Sequence, residues 1–217
     1  MKYDAVIFDK DGTLLDSGFD GFEWLEEAKV RKARELGYDI TVEEAHEIIF
    51  LDSIKEAEEY LEKEGMTWED LAKIVRAVND EKIKRIKAGE IELFEDVEEV
   101  LNALNVPRAI VSNASRRSTV FTVDFFGLGQ YFSDVRAPEL GDMRTFVDVK
   151  KPHPRMVEET VRKLGAENPV IVGDSVSDVG AAENAGIDSI LVNKEYNDRL
   201  RPDYRIESLD ELLQFFS

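Results

Sequence analysis

Two rhythms of hydrophobic and polar positions divide this chain. Ala5 to Phe8 is an unbroken apolar run that reads as a short buried strand, punctuated by Gly12. From about Asp20 to Ala88 the pattern is helical, strongly charged and free of proline. Phe22, Leu25, Ala28, Ala33 and Leu36 fit one helical face, with Gly37 as its stop. Thr41 with Glu44, Ser53 with Glu56 and Thr67 with Asp70 have capping-box spacing and predict three further helix starts. The last helix carries Leu71, Ile74, Val75, Val78, Ile83 and Ile86 and ends near Gly89. A helical bundle over 18–89, inserted after the first strand, is the expectation. Gly18 and Gly21 at its entrance and Gly89 at its exit are candidate hinges, although glycine also serves ordinary backbone needs at loop ends.

From Phe94 onward the pattern alternates between strand and helix. Helices are predicted over 97–104, 118–126, 156–164 and 178–185, and strands over 108–112, 131–136, 170–172 and 189–192. Ser208 to Glu211 starts a closing helix. Such alternation implies a mainly parallel sheet with helices on both faces, an α/β core formed by 1–17 and 90–217. The longest irregular stretch runs from Pro138 to Pro154.

The 217 residues can bury a substantial core, as one domain with an appendage or as two small domains. A formal charge of −19 argues against nucleic acid or an anionic membrane surface as partner, and requires local positive charge for any anionic substrate. The chain has no cysteine, which excludes disulfides and thiol chemistry, and only His46 and His153, which disfavours a histidine-rich zinc site. No secretory signal pattern or membrane-length apolar stretch is present, so a soluble cytoplasmic protein is expected. Oligomeric state is not readable.

Charged and polar residues gather where strands should end. Asp9 and Asp11 follow the first strand, a costly place for charge unless a metal, a hydrogen-bond nest or the open end of a sheet compensates it. Ser112 and Asn113 end a second strand with groups able to bind phosphate oxygens. Lys150 and Lys151 precede Pro152, His153 and Pro154, a pattern that holds an extended backbone before a helix. Asp174 follows Gly173, and Asp178 has capping-box spacing from Ser175. Each feature alone also reads as an ordinary turn, a solvated basic loop or a helix cap. Together they assemble a phosphoryl-transfer site. Asp9 is the nucleophile, Asp11 the acid and base, and Lys151 the balancing cation. Oxygens of Asp9, Asp11 (through its backbone carbonyl), Asp174 and Asp178 are candidate Mg²⁺ ligands.

In these four motifs and their order the chain resembles the haloacid dehalogenase-like (HAD) hydrolase superfamily, near its phosphoglycolate phosphatase-like branch. Asp9-Lys-Asp11-Gly-Thr matches the first motif, Ser112-Asn113 the second, Lys151-Pro the third and Gly173-Asp174-Ser-x-x-Asp178 the fourth. The resemblance implies a Rossmann-like core, Mg²⁺, an α-helical cap and a small phosphorylated metabolite as substrate. Asp11 sets it apart from the superfamily's dehalogenases, which lack the second acid. The third motif's lysine is doubled, so Lys150 competes with Lys151 for that role. A sugar phosphomutase and a non-catalytic metabolite-binding protein are the alternatives. Of the basic stretch 82–87, a solvated helix face is the favoured reading.

Overall fold

The computed structural model describes residues 2–16, 23–48, 51–192 and 201–216. The candidate hinges Gly18 and Gly21, and Phe22, lie outside the described residues. Strand β1 (Ala5–Phe8) is followed by a two-residue strand, β2 (Leu15–Asp16). Four helices come next: α1 (Glu23–Glu35), α2 (Val42–Glu47), α3 (Ile54–Glu64) and α4 (Trp68–Ala88). The chain returns through β3 (Glu92–Leu93), which pairs antiparallel with β2. It continues as α5 (Val97–Ala103), β4 (Arg108–Val111), α6 (Arg116–Phe125), β5 (Asp134–Arg136), α7 (Met143–Asp148) and α8 (Arg155–Leu164). β6 (Pro169–Gly173), α9 (Val176–Ala185), β7 (Asp188–Val192) and β8 (Tyr204–Ile206) complete it, before a 3-10 helix over Leu209–Phe215.

The main sheet has the order β5-β4-β1-β6-β7-β8, with every neighbouring pair parallel. This is the doubly wound, Rossmann-like arrangement expected of the core. Its strand order reverses between β1 and β6, where a crevice opens at the carboxyl ends. The two-residue alternation of strand side chains sorts the core. Val6, Phe8, Ile110, Val170 and Val172 pack on one face with Val97, Val100 and Leu101 of α5. Ile7, Val111 and Ile171 pack on the other with Met156 and Val157 of α8 and Ala181 and Ala182 of α9. β1 is buried on both faces, which explains its lack of polar positions.

Thr41–Glu44 and Thr67–Asp70 form reciprocal capping boxes. At Ser53 only one half forms: its hydroxyl accepts from the Glu56 N–H, while the Glu56 carboxylate accepts from the Asp52 N–H and the Ser53 hydroxyl. Gly89 caps α4 with a left-handed backbone, φ +72°, so its conformation is explained by helix termination.

The irregular stretch before Pro154 contains α7, which the sequence pattern did not predict. Asp142 caps it, accepting from the N–H groups of Arg144 and Thr145. Met143, Phe146 and Val147 of α7 enter the bundle's core beside Ala57, Tyr60, Leu61, Leu71 and Ile74. The bundle thus buries a piece of chain that lies far beyond its own sequence segment. The predicted closing helix is the 3-10 helix, and β8 and the β2–β3 pair are additions to the predicted elements.

Candidate active site

Each strand end of the crevice delivers one predicted group. The N–H of Asp9 donates to Val172 O at 2.8 Å, so β6 fixes the residue that leaves β1. The chain then turns sharply: Leu14 N donates to Lys10 O at 3.0 Å and Gly12 N to Leu15 O at 2.9 Å. Gly12 has φ +86°, a backbone conformation that side chains oppose. Asp11 therefore sits inside a tight turn directly beyond the sheet.

Lys151 stands at the centre and is only 1% exposed. Its Nζ donates to Asp9 Oδ1 and Asp178 Oδ1, each at 2.5 Å, and to Val111 O at 2.7 Å. All three protons of the ammonium are used. Asn113 grips the backbone of the same residue: its Oδ1 accepts from Lys151 N at 2.7 Å and its Nδ2 donates to Lys151 O at 2.8 Å. The second motif thus positions the third. Ser112 Oγ accepts from Ala114 N at 3.1 Å, closing the turn after β4. Lys150 faces away from this centre. It is buried, with Nζ 3.5 Å from Asp52 Oδ1 at the bundle.

Asp178 uses its two oxygens differently. Its Oδ2 accepts from Ser175 N at 3.1 Å and from the Ser175 hydroxyl at 2.5 Å, capping α9, while Oδ1 meets Lys151. Gly173 makes room for it, since a β-carbon there would come within 2.2 Å of Asp178 Cγ. Asp174 completes the group, with Thr13 Oγ1 at 3.5 Å from its Oδ1.

Carboxylate oxygens of Asp9, Asp174 and Asp178 lie within 4.8 Å of one another. Burial raises the pKa of Asp9, with the charges of Asp178 and Asp11 adding to the effect and Lys151 opposing it. Burial likewise raises Asp174, reinforced by Asp9 and Asp178. For Lys151 burial works against the charge, but Asp178 and Asp9 outweigh it and raise its pKa. Among the described residues, the buried Asp9 and Asp178 and the half-buried Asp174 gather beside the ammonium of Lys151, an excess of carboxylate oxygen. Hard oxygen donors in such a cluster fit a small divalent cation.

The Asp11 carboxylate stands apart from that cluster. Lys10 Nζ lies 2.5 Å from its Oδ1, and Lys82 Nζ, from α4, lies 2.9 Å from its Oδ2. Burial would raise the pKa of Asp11, but the two ammonium groups outweigh it and hold it well below the usual carboxylate range. Burial pushes Lys10 down to about 8. One helical turn before Lys82, Asn79 Oδ1 accepts from Ser115 N at 3.2 Å and from the Ser115 hydroxyl at 2.8 Å.

Sequence reasoning missed Lys82, Asn79 and the pairing of Lys10. The favoured solvated-face reading holds for Lys84 and Lys87, which are exposed, and fails for Lys82, which is buried. A signal was present: Asn79 and Lys82 interrupt the apolar stripe of α4 between Ile74 and Ile86, both buried. His153 accepts from Arg155 N through Nδ1 at 3.1 Å, and Arg116 pairs with Glu139 at 3.3 Å.

The family model described as haloacid dehalogenase-like hydrolase matches residues 3–186. A phosphoglycolate phosphatase of Vibrio parahaemolyticus is 29% identical over 224 residues, covering 96% of this chain and 94% of that protein. A pyrophosphatase, PpaX of Halalkalibacterium halodurans, is 30% identical over 133 residues, 57% of this chain and 59% of its own length. Among solved structures, CbbY of Rhodobacter sphaeroides in complex with phosphate has a TM-score of 0.74 at 23% identity, covering 97% of this chain and 96% of that one. That last likeness is one of fold. No helix among the described residues is long and apolar enough to cross a membrane.

Proposed function

Because the chain belongs to the haloacid dehalogenase-like hydrolase family, we propose that it is a Mg²⁺-dependent phosphatase that hydrolyses a small phosphorylated metabolite through an aspartyl phosphate on Asp9. The observation that carries this reading is the convergence of Asp9 and Asp178 on Lys151 at the β1–β6 crevice, with Asp174 beside the two acids. In the first step a carboxylate oxygen of Asp9 attacks phosphorus and the ester P–O bond breaks, while the leaving oxygen is protonated through Asp11, which first takes up a proton in place of one of its ammonium contacts. In the second, Asp11 takes a proton from water as the water oxygen attacks the same phosphorus. The bond from phosphorus to Asp9 then breaks and inorganic phosphate leaves. Lys151 aligns Asp9 and balances the phosphoryl charge. Ser112 and the turn containing Asn113 bind phosphoryl oxygens, with Asn113 also setting Lys151. Asp9, Asp174, the Asp11 carbonyl and Asp178 would hold Mg²⁺, which would supply further positive charge for the phosphoryl group.

In this reading 18–89 is a cap over the 1–17 and 90–217 core, supported by the reach of Lys82 and Asn79 from α4 to the strand ends. The cysteine-free, anionic composition supports a cytoplasmic setting. The test is phosphate release, with and without Mg²⁺, across sugar phosphates, nucleotides, phosphoglycolate and pyrophosphate. Mg²⁺-dependent release from at least one is expected. No release from any of them, or interconversion of a hexose phosphate without release, overturns the proposal, the second outcome in favour of a phosphomutase.

A further inference from the structure

The turn that carries Lys151 is held from opposite sides. On the core side Asn113 bonds to both the N–H and the carbonyl of Lys151, and Asn184 Nδ2 of α9 donates to Pro152 O at 2.9 Å. Those backbone bonds fix where the turn lies, but they do not by themselves stop it from rocking about them. The other side is held by the bundle. Helix α7, which leads into the turn, buries Met143, Phe146 and Val147 in a hydrophobic cluster whose other buried members all come from the bundle. Arg144 adds a contact with Glu58 of α3 at 2.7 Å and lies 4.8 Å from the ring of Trp68 at the start of α4. Lys150 N then donates to Val147 O at 3.3 Å, so the turn starts directly from the helix. Lys150 itself is 7% exposed, with its Nζ 3.5 Å from Oδ1 of Asp52, just before α3. Burial disfavours the charge of Lys150, and Asp52, followed by Glu56, opposes that. Moving the bundle away would strand this ammonium in a buried place without its counter-ion.

We propose that Lys150, anchored by Asp52, is a positioning residue for Lys151, and that with α7 it makes the bundle a support of the catalytic lysine. Successive side chains of this turn point to opposite sides, Lys150 to the bundle and Lys151 to the crevice. With Asp52 holding the first, rotation about the Asn113 bonds is blocked, and the ammonium of the second stays on Asp9. Loss of that anchor lets the ammonium drift from Asp9, and small displacements of an aligned group are costly to rate. This rests on the phosphatase reading and deepens it. The bundle takes part in the reaction through Lys151, on the phosphoryl side of the site, whatever the leaving group is. The effect therefore belongs to kcat and is shared by every substrate.

Steady-state kinetics on wild type, Lys150→Met, Lys150→Arg, Asp52→Asn and the Lys150→Met/Asp52→Asn double variant test this, with substrates found in the phosphate-release screen. Lys150→Met and Asp52→Asn should each lower kcat about tenfold or more with every substrate and leave KM within about threefold. Lys150→Arg, which keeps a cation for Asp52, should hold kcat within about threefold, and the double variant should fall no further than the worse single variant. Amide hydrogen exchange of the metal-free, substrate-free protein separates positioning from a general loss of stability. Exchange at the Lys151 N–H, bound by Asn113, should quicken in Lys150→Met and Asp52→Asn, while the Asp9 N–H, bound by Val172, keeps its protection. If Lys150→Met is poorly folded, Asp52→Asn, at a half-exposed position, is read in the same way. Equal quickening at both amides, or unchanged exchange at Lys151, overturns the assignment, as does a kcat within about threefold of wild type in a folded variant. Absence of phosphate release by the wild type from any substrate is a different result: it removes the phosphatase reading itself, and this assignment with it.

Discussion

Asp9 and Asp11 lie two residues apart, yet their surroundings are opposite in charge. Around Asp9, the ammonium of Lys151 pairs with both Asp9 and Asp178, and Asp174 adds a third carboxylate beside them. Around Asp11, two ammonium groups share a single carboxylate. Asp9 is buried and Asp11 half-buried, and desolvation by itself disfavours the charge of either one. At Asp9 the neighbouring acids add to that effect and its proton affinity rises. At Asp11 the lysines reverse it and proton affinity falls. One grouping is short of positive charge and the other is saturated with it. What separates them is the set of distant residues each meets: Asp178 and Asp174 beyond β6 in one case, Lys82 from the bundle in the other.

The largest effect expected on this contrast comes from Lys151→Met. It removes the ammonium that pairs with the buried Asp9 and Asp178 carboxylates. A loss of about 3–5 kcal/mol in metal-free denaturant unfolding is expected. Mg²⁺ should recover part of that stability, and phosphate release should remain abolished. A stability loss below about 1 kcal/mol would mean that the acids are better solvated than their burial implies.

The second effect concerns pH. Asp9 and Asp174 bind protons more tightly in the folded protein than in an unfolded chain. Their contribution to stability is therefore full below the ordinary value of 3.8, and it is lost as pH rises through the folded value, about 8 for Asp174. Metal-free protein should lose stability from these groups across that window. Because Mg²⁺ competes with the same protons, it should raise the melting temperature more at about pH 8 than at about pH 5. Equal shifts at the two pH values would show that the ion binds elsewhere.

A smaller effect is expected for Asp178→Ala. One of its oxygens caps α9 and the other meets Lys151, so the substitution should cost about 1–2 kcal/mol and also weaken Mg²⁺ binding. Calorimetric titration separates these effects. Unchanged Mg²⁺ affinity with lowered stability would reduce Asp178 to a helix cap.

The strand ends of the Asp9 grouping were legible because each couples an apolar run to a polar turn in consecutive residues. Asp9, Ser112 and Asp174 follow that rule, and the parallel sheet brings them together by topology. Lys151 comes instead from the turn between α7 and α8, marked in the sequence by its place before Pro152 and the helix. The choice between Lys150 and Lys151 was not legible. It depends on which of two successive side chains faces the crevice, and Lys150 turns to Asp52 instead. Lys82 was hidden for a different reason. On a highly charged helix a lysine ordinarily marks solvent, and only the packing of α4 on the core turns this one inward. Helix α7 is too short, at six residues, to show a period, and its apolar side chains answer to the bundle rather than to neighbouring sequence.

The central claim is that Asp9 carries the phosphoryl group while Asp11 handles the proton. Its most direct test is to react Asp11→Asn with a substrate found in the phosphate-release screen, quench in acid, and map the phosphoryl group by peptide mass spectrometry. Removing the base for the second step should slow hydrolysis by about 10²–10⁴-fold and leave the phosphoryl mass on the peptide containing Asp9. Asp9→Asn should carry none and release no phosphate. Steady phosphate release by Asp9→Asn, with its amide intact, would contradict the account.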